Sequence, residues 1–594
     1  MILYQSDNFQ WDLTAYGVSL NEENDIFTDS INKNYSLPFT IKANADLLIK
    51  LGLPTLENIT SIDFKEKGRL VLPHKHYEAT LFLGEIFEDN IECQINFGDA
   101  ELAVYSTKLK DLPWPTQLAG NLADFAADKI TQAWPATAYN FPMVYAPEIA
   151  SDSNYDLFEG FVNNYADGAF LENEIDTSGE ENVYINRNVL APFPYVLEIL
   201  KFGFKTAGKS VVGEVFQHPD LKRLLYMPQN YLERLDGSQY LKFSFSTRTN
   251  VMPDADGNLY NIYTREFVPE ASGTYDLKFN INLDPVLASL FNLSIFRKNA
   301  LSNELTLVQN WLSRNNRVQL DETVTIEVTP ADEMDPIVVE LTLKHTDRNI
   351  ADFNTFEISF SDGQLNIFPT FFTLSDFVPD MTFGEFVNLL KNWWNIEVVP
   401  GEKTVAINFL QTSIFTRAVR DHSHLETSKT KRQRNTNRFY KLLYANTEKI
   451  FYNKDGQIFS DLDADVSDEI TIEMKVQPAV VESNKYVVTA VMPEESSDLD
   501  FCLYDGLQAG KPTCPISIAT KLSLQNVFKN WWENWLNFRV NSYSFKDSFE
   551  CSPFEIINIE ELSKKYNELH IIKKINRKIK SEKIMQVDVE SETF

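Results

Sequence analysis

The chain has 594 residues, 43% hydrophobic, 13% aromatic and 23% charged, which excludes a mainly disordered polymer. Single cores stop growing near roughly 250–300 residues, so several domains are expected. Asp and Glu outnumber Lys and Arg by 85 to 54, a formal charge of −31, so the general surface repels polyanions and any contact with nucleic acid must be local.

The opening MILYQSDNFQWDL has no charged segment followed by an apolar run, and no stretch approaches the roughly 18 apolar residues of a spanning helix. A chain made and used in solution is expected. Residues 1–115 read as a β-barrel-like domain: Tyr35–Ile41, Ser61–Lys65, Arg69–Pro73, Thr80–Phe87 and Ile91–Phe97 are short β-branched or aromatic segments with partial alternation, bounded by turn residues. Residues 116–186, richer in Ala, Asn, Asp and Pro, read as a connector or insertion, with a helix in NLADFAADKITQAW and an acidic loop in ENEIDTSGEENVY.

From 187 to 239 the pattern turns helical. Val196, Leu197, Leu200 and Phe204 recur at three-to-four spacing behind prolines, and LKRLLYMPQNYLERL extends that character to about Leu235. Residues 240–380 return to strands (YLKFSFSTRTNV, IYTREFV, YDLKFNINL), with turns at Asp254–Asn258 and Ser361–Gln364, where Gly follows Asp. Residues 381–450 form a helix–strand unit, TFGEFVNLLKNWWNIEV, the turn PGEK and the strand TVAINFL; 451–594 read as an α+β domain with a basic end. The word Lys-Asn-Trp-Trp occurs at Lys391–Trp394 and again at Lys529–Trp532, each on a candidate helix leading into strands, which falls short of a repeat. The fold class is therefore multidomain and mainly β with α+β portions: small barrels or sandwiches linked by short helical elements.

Chemistry has weak support. Asp421–Glu426 (DHSHLE) and His74/His76 (PHKHY) carry histidines at i and i+2, a spacing that suits a metal on a strand face, but a polar loop or surface role is the expected reading. Asp254–Asn258 (DADGN) starts like a calcium loop, yet its twelfth position is Arg265 where a bidentate Glu is needed. Cys93, Cys502, Cys514 and Cys551 lack metal or redox spacing and read as buried thiols. No phosphate-binding glycine loop, nucleophile elbow or zinc-protease helix is present, so no catalytic residue, metal or cofactor is expected, and no enzyme. Two basic runs, Ser428–Arg438 and Lys573–Lys583, read as solvated edges in preference to nucleic-acid sites; the sharper alternative is that one faces nucleic acid in a lumen or an acidic neighbouring subunit. Trp114, Trp134, Trp311, Trp393 and Trp531 are candidate interface or core anchors, core being the ordinary fate of Trp.

The order of TFGEFVNLLKNWWNIEVVPGEKTVAINFL, NRFYKLLYAN, NVFKNWWENWLNFRV and the closing YSFKDSFECSPFEIINIEELSKKYNELHIIKKINRKIKS resembles the tail-hub-like structural proteins of phages and prophages of Bacteroidetes hosts. The segments SLPFTI, GRLVLPHKHYEATLFLGEIF, NRNVLAPFPYVLEILKFGF and LKRLLYMPQNY resemble the opening β-domain and middle helical element of such proteins, so the likeness touches about half the chain. It implies a non-enzymatic virion tail subunit, assembled in the host bacterial cytoplasm, whose β-barrels pack side by side in a ring that continues the tail tube and organises the tip for attachment and DNA delivery. A trimer with two barrels per chain, at about 1–115 and 240–380, would mimic sixfold symmetry; tube, distal-tail, fibre or tip proteins would be neighbours, with transient contact with phage DNA in the lumen. Alternatives are a distal-tail, baseplate or neck ring, a carbohydrate- or receptor-binding module, and a cell-wall-cleaving enzyme.

Overall fold

The computed structural model describes residues 2–28, 34–42, 45–51, 65–72, 75–87, 90–98, 102–149, 158–176, 178, 183–232, 234–235, 240–253, 257–269, 273–300, 302–313, 317–329, 332, 335–360, 365–401, 403–435, 439–444, 449–453, 458–460, 469–483, 487–493, 499–515, 521–581 and 583–593. Ser61–Phe64, His74, Asp254–Asp256, the turn Ser361–Gln364, residues 436–438 of the first basic run and most of the acidic loop after Asp176 lie outside them.

The molecule is mainly β and divides among several hydrophobic cores. In the N-terminal unit, Asn90–Phe97 buries every second residue (Ile91, Cys93, Ile95, Phe97) and pairs antiparallel with His76–Phe87, which pairs in turn with Lys65–Val71. Leu37 and Pro38 interrupt the expected strand 35–41, leaving Asn34–Ser36 and Phe39–Lys42, both against Asn90–Phe97.

The middle of the chain supplies the largest core. Helix Val196–Thr206 buries Val196, Leu197, Ile199, Leu200 and Phe204, and helix Phe383–Trp394 packs on it so closely that Gly203 meets the Phe383 ring. The second helix starts in a capping box: Thr382 Oγ1 accepts from the Glu385 N–H at 3.2 Å, and Glu385 Oε2 accepts from the Thr382 N–H at 2.8 Å. The hairpin Ile396–Pro400/Thr404–Phe409 follows, extended by the parallel strand Ser210–Val212. The helical character expected through Leu235 ends early. After the short turn Leu221–Arg223 the chain becomes strand Leu224–Tyr226, because Leu224, Leu225 and Tyr226 find ladder partners in Leu503, Cys502 and Phe501 inside this core. The connector helix, Leu122–Lys129, is capped by Asn121 and shares a smaller core with Phe141, Phe161, Phe170 and residues 372–377.

Residues 240–360 form a sandwich of a four-stranded and a five-stranded antiparallel sheet. Along Gly273–Leu283 the residues Tyr275, Leu277, Phe279, Ile281 and Leu283 point inward, and the core they build contains only residues of this segment. The short ladder Arg234–Leu235/Asn366–Ile367 forms its neck.

The strand region expected to partner the N-terminal barrel, 240–380, does not join its sheet. Strand Ser19–Glu23 pairs instead with Glu568–Ser581, Ser19 opposite Lys578 and Glu23 opposite Lys574. Through that ladder the N-terminal strands and those of 419–434 and 543–593 form one fourteen-stranded sheet with strands Gln10–Asp12 and Lys431–Arg434 at its two ends. Nothing local in sequence marks this pairing.

Candidate assembly surfaces

The ladder between the two β units is a seam of charge. Glu22 and Arg577, both buried, form an ion pair, Tyr77 donates to Glu22 Oε2 at 3.0 Å, and Arg577 also donates to the Ile557 carbonyl. One step along, Lys574 Nζ lies 2.6 Å from Glu23 Oε1, which holds the ammonium above its ordinary range. Asn24 Nδ2 donates to the carbonyls of Ile559 (3.0 Å) and Ile572 (2.8 Å), Lys75 pairs with Glu560 at 2.5 Å, and Lys391 Nζ donates to the Asp25 carbonyl at 2.6 Å. Glu23, Asn24, Lys75, Tyr77, Lys391 and Glu560 line a cleft of about 60 Å³.

The basic run Lys573–Lys583 is divided: Arg577 is buried against Glu22 and Lys574 half-buried against Glu23, while Lys580 meets Glu550 at the surface and Lys573, Lys578 and Lys583 are exposed. Sequence reasoning missed the seam residues Glu22, Glu23 and Arg577. A usable signal existed in the match between acidic NEEND at 21–25 and basic KKINRK at 573–578. The other run behaves differently. Lys431–Arg434 is a fully exposed end strand, and of its cations only Arg432 has partners in the described chain: the rings of Tyr543 (4.2 Å) and Phe545 (5.4 Å), and Glu568 at 3.7 Å.

The two histidines of Asp421–Glu426 sit in different environments, and of the pair His74/His76 only His76 is among the described residues. His422 is buried, its Nε2–H donating to the Ile556 carbonyl (3.0 Å) and its Nδ1 meeting Ser563 Oγ (2.8 Å), and burial lowers its pKa. His424 is exposed and meets Glu555 at 3.1 Å; His76 is exposed on its strand. Among the described residues no group of three or more His, Cys, Asp or Glu could hold a metal ion, and no helix is long and apolar enough to cross a membrane.

The five tryptophans sit within the chain's own packing. Trp393 is fully buried, donating to Tyr444 Oη at 3.0 Å; Trp531 stacks on Phe409, centroids 5.6 Å apart; Trp134 is buried and donates to Glu198 at 2.9 Å. Trp114, half-buried, stacks on Phe202 at 4.0 Å, and Trp311, half-buried, packs edge-on against Phe279 at 4.9 Å. The two Lys-Asn-Trp-Trp words meet: Trp532 Nε1 donates to the Trp393 carbonyl (3.3 Å), Asn395 Nδ2 donates to the Trp531 carbonyl (2.7 Å), and the Trp394 and Trp531 rings lie 6.4 Å apart.

No protein-family model matches the chain, and no curated protein matches it. Solved structures that match include a 43 kDa tail protein of prophage MuSo2 from Shewanella oneidensis, 8% identical, covering 56% of this chain and 97% of that one, TM-score 0.18. A tailspike domain of bacteriophage CBA120 is 10% identical over 23% of this chain and 19% of its own (TM-score 0.12). A carbohydrate-binding module of a laminarinase from Zobellia galactanivorans is 13% identical over 20% of this chain and 99% of its own (TM-score 0.12). At these scores the likenesses assign no function.

Exposed apolar side chains are scattered along the chain, and two places among them are an edge strand and a groove. Leu305–Ser313, the end strand of the five-stranded sheet, leaves Leu305, Leu307 and Leu312 at least half exposed and carries no charge. A groove of about 750 Å³ lies between Gln229–Leu232 and Pro369–Phe377, with Phe371 60% exposed on its rim.

Proposed function

We propose that this chain is a non-enzymatic structural subunit of a phage tail tip, of the tail-hub kind, working in a homo-oligomeric ring, with a trimer as the favoured state. The observation that carries the reading is the fourteen-stranded sheet: one chain brings two β units side by side and ends in open strands on both sides. Three such chains would place six β units around an axis. Closed rings need heterologous contacts between two different surfaces, and the sheet's two ends are different surfaces. The order of elements that resembles tail-hub-like proteins points the same way, as does the use of His422, His570, Cys93, Cys502, Cys514 and Arg577 in internal packing. Tube, distal-tail, fibre or tip proteins would cover further surface in the virion.

The native mass of the purified chain, by light scattering or native mass spectrometry, tests this reading. Three copies are expected. Six or twelve copies would move the assignment to a distal-tail or neck ring, and a monomer at all concentrations would overturn the ring. One observation favours a second reading, a carbohydrate- or receptor-binding module: the exposed Phe371 beside the amides of Gln229 and Asn230 is a platform of the kind a sugar ring could stack on. Glycan binding lost in Phe371→Ala would support it.

A further inference from the structure

We propose that the basic end strand Lys431–Arg434 is the contact through which one copy of this chain docks onto the end strand Gln10–Asp12 of the next, where Asp12 and the nearby Asp7 supply negative charge, extending the sheet from copy to copy. The inference rests on the ring reading above and names the surfaces that close it.

Strand Lys431–Arg434 ends the sheet, paired on one side with Tyr543–Cys551 and, among the described residues, open on the other. An open edge is a row of unpaired backbone donors and acceptors, ready to accept a further strand. Its charge is unbalanced within the chain. Lys431 lies directly opposite Lys546, an arrangement that destabilises a sheet unless an anion is nearby, and Lys546 already holds Glu590 at 2.5 Å. Arg434 opens onto a recess of about 210 Å³, lined also by Lys546 and Lys573 against the single carboxylate of Glu590. In a chain of charge −31, this surplus of cations at an open edge calls for an acidic partner from outside.

The far end of the same sheet supplies one. Strand Gln10–Asp12 pairs on one side with Leu3–Ser6 and ends the sheet on the other. Trp11 turns into the N-terminal core while Gln10 and Asp12 stay exposed, with Asp7 exposed in the turn before them. An end bearing Lys431 and Arg434 and an end bearing Asp7 and Asp12 are complementary between copies, and each repels its own kind. That selects head-to-tail closure over a twofold dimer. Duplex DNA, the other polyanion that could seek these cations, meets the field of the whole acidic chain.

The test compares the full-length wild type with Lys431→Glu/Arg434→Glu, and with a quadruple variant that adds Asp7→Lys and Asp12→Lys, by native mass across a dilution series. All four sites are exposed, and circular dichroism checks folding. The reversed pair is expected to dissociate at about tenfold or more higher concentration than wild type, and the quadruple variant to recover most of that loss. A Gln10→Cys/Gln433→Cys variant treated with a short bis-maleimide is expected to give covalent multimers that neither single variant gives. If the reversed pair keeps the wild-type mass and the cysteines do not cross-link, this contact is overturned while a multimeric wild type leaves the ring reading standing. If wild type is a monomer, the ring reading falls and takes the contact with it. An unchanged mass together with binding of a short fluorescent duplex, lost in the reversed pair, would overturn the inference in favour of a nucleic-acid surface.

Discussion

Arg577 shows how much can rest on one side chain. It is almost fully buried on the seam strand, and Glu22 beside it is buried too, so each charge is tolerated only because the other is present. Glu22→Gln, close to isosteric, leaves a guanidinium without its counter-charge. The expected loss is roughly 3–5 kcal/mol in urea unfolding, whereas the double change Glu22→Leu/Arg577→Met is expected to be far milder. The buried His422 and His570, and the partly buried His218, have pKa values lowered by desolvation. The unfolded chain takes up their protons near pH 6.5 while the folded chain does not, so their neutral forms are harmless above that pH and stability falls as pH drops below it. His422→Gln/His570→Gln should therefore flatten the decline in melting temperature between about pH 6.5 and 5; an equally steep decline would show that carboxylates dominate it. Residue identity alone suggested buried thiols and polar-loop or surface histidines, and His422 proved buried instead. Identity did not distinguish Trp393, at the centre of the largest core, from Trp311, half-exposed on the sandwich. That difference depends on which strand a residue faces, and the amino-acid type does not carry it.

Elements were legible where burial follows a short period. The strands read at Ile91–Phe97 and in YDLKFNINL and the helix read in TFGEFVNLLKNWWNIEV all have counterparts in structure. Leu221–Leu235 was misread because its apolar residues fit a helix by spacing while its partner strand, Leu499–Leu503, lies almost three hundred positions away. Helix packing adds a constraint that spacing does not show. A Cβ built on Gly203 would lie 2.1 Å from the Phe383 ring, itself wedged between Tyr105 and Phe204. Ala favours a helix over Gly by about 1 kcal/mol, so on propensity alone Gly203→Ala stabilises. Here overpacking wins, and a net loss of about 1–3 kcal/mol is expected. Phe383→Leu in the same chain should recover part of it, and a stabilised single variant would show that the two helices separate at little cost.

At the scale of the whole molecule, the decisive connection joins residues near 20 to residues near 575, and loop closure over that distance leaves no local trace in composition or periodicity. The sequence therefore suggested 240–380 as the second ring unit, whereas the strands that continue the N-terminal sheet come from the other end of the chain. The sandwich at 240–360 is instead an excursion. It has its own core, and the neck Arg234–Leu235/Asn366–Ile367 brings its entry and exit side by side. A unit with a closed core and adjacent termini can be removed with little loss to its host, and can fold alone. Replacing 240–360 by a short Gly/Ser linker is expected to leave the number of copies in the assembly, read from its native mass, unchanged, because the sheet proposed to close the ring lies elsewhere. The excised sandwich should unfold as a cooperative unit of its own, read by tryptophan fluorescence from Trp311. If excision reduces the assembly to monomers while the remainder stays folded by circular dichroism, copies meet through the sandwich, with the apolar edge Leu305–Ser313 the first place to look; an unchanged copy number keeps the contact on the fourteen-stranded sheet.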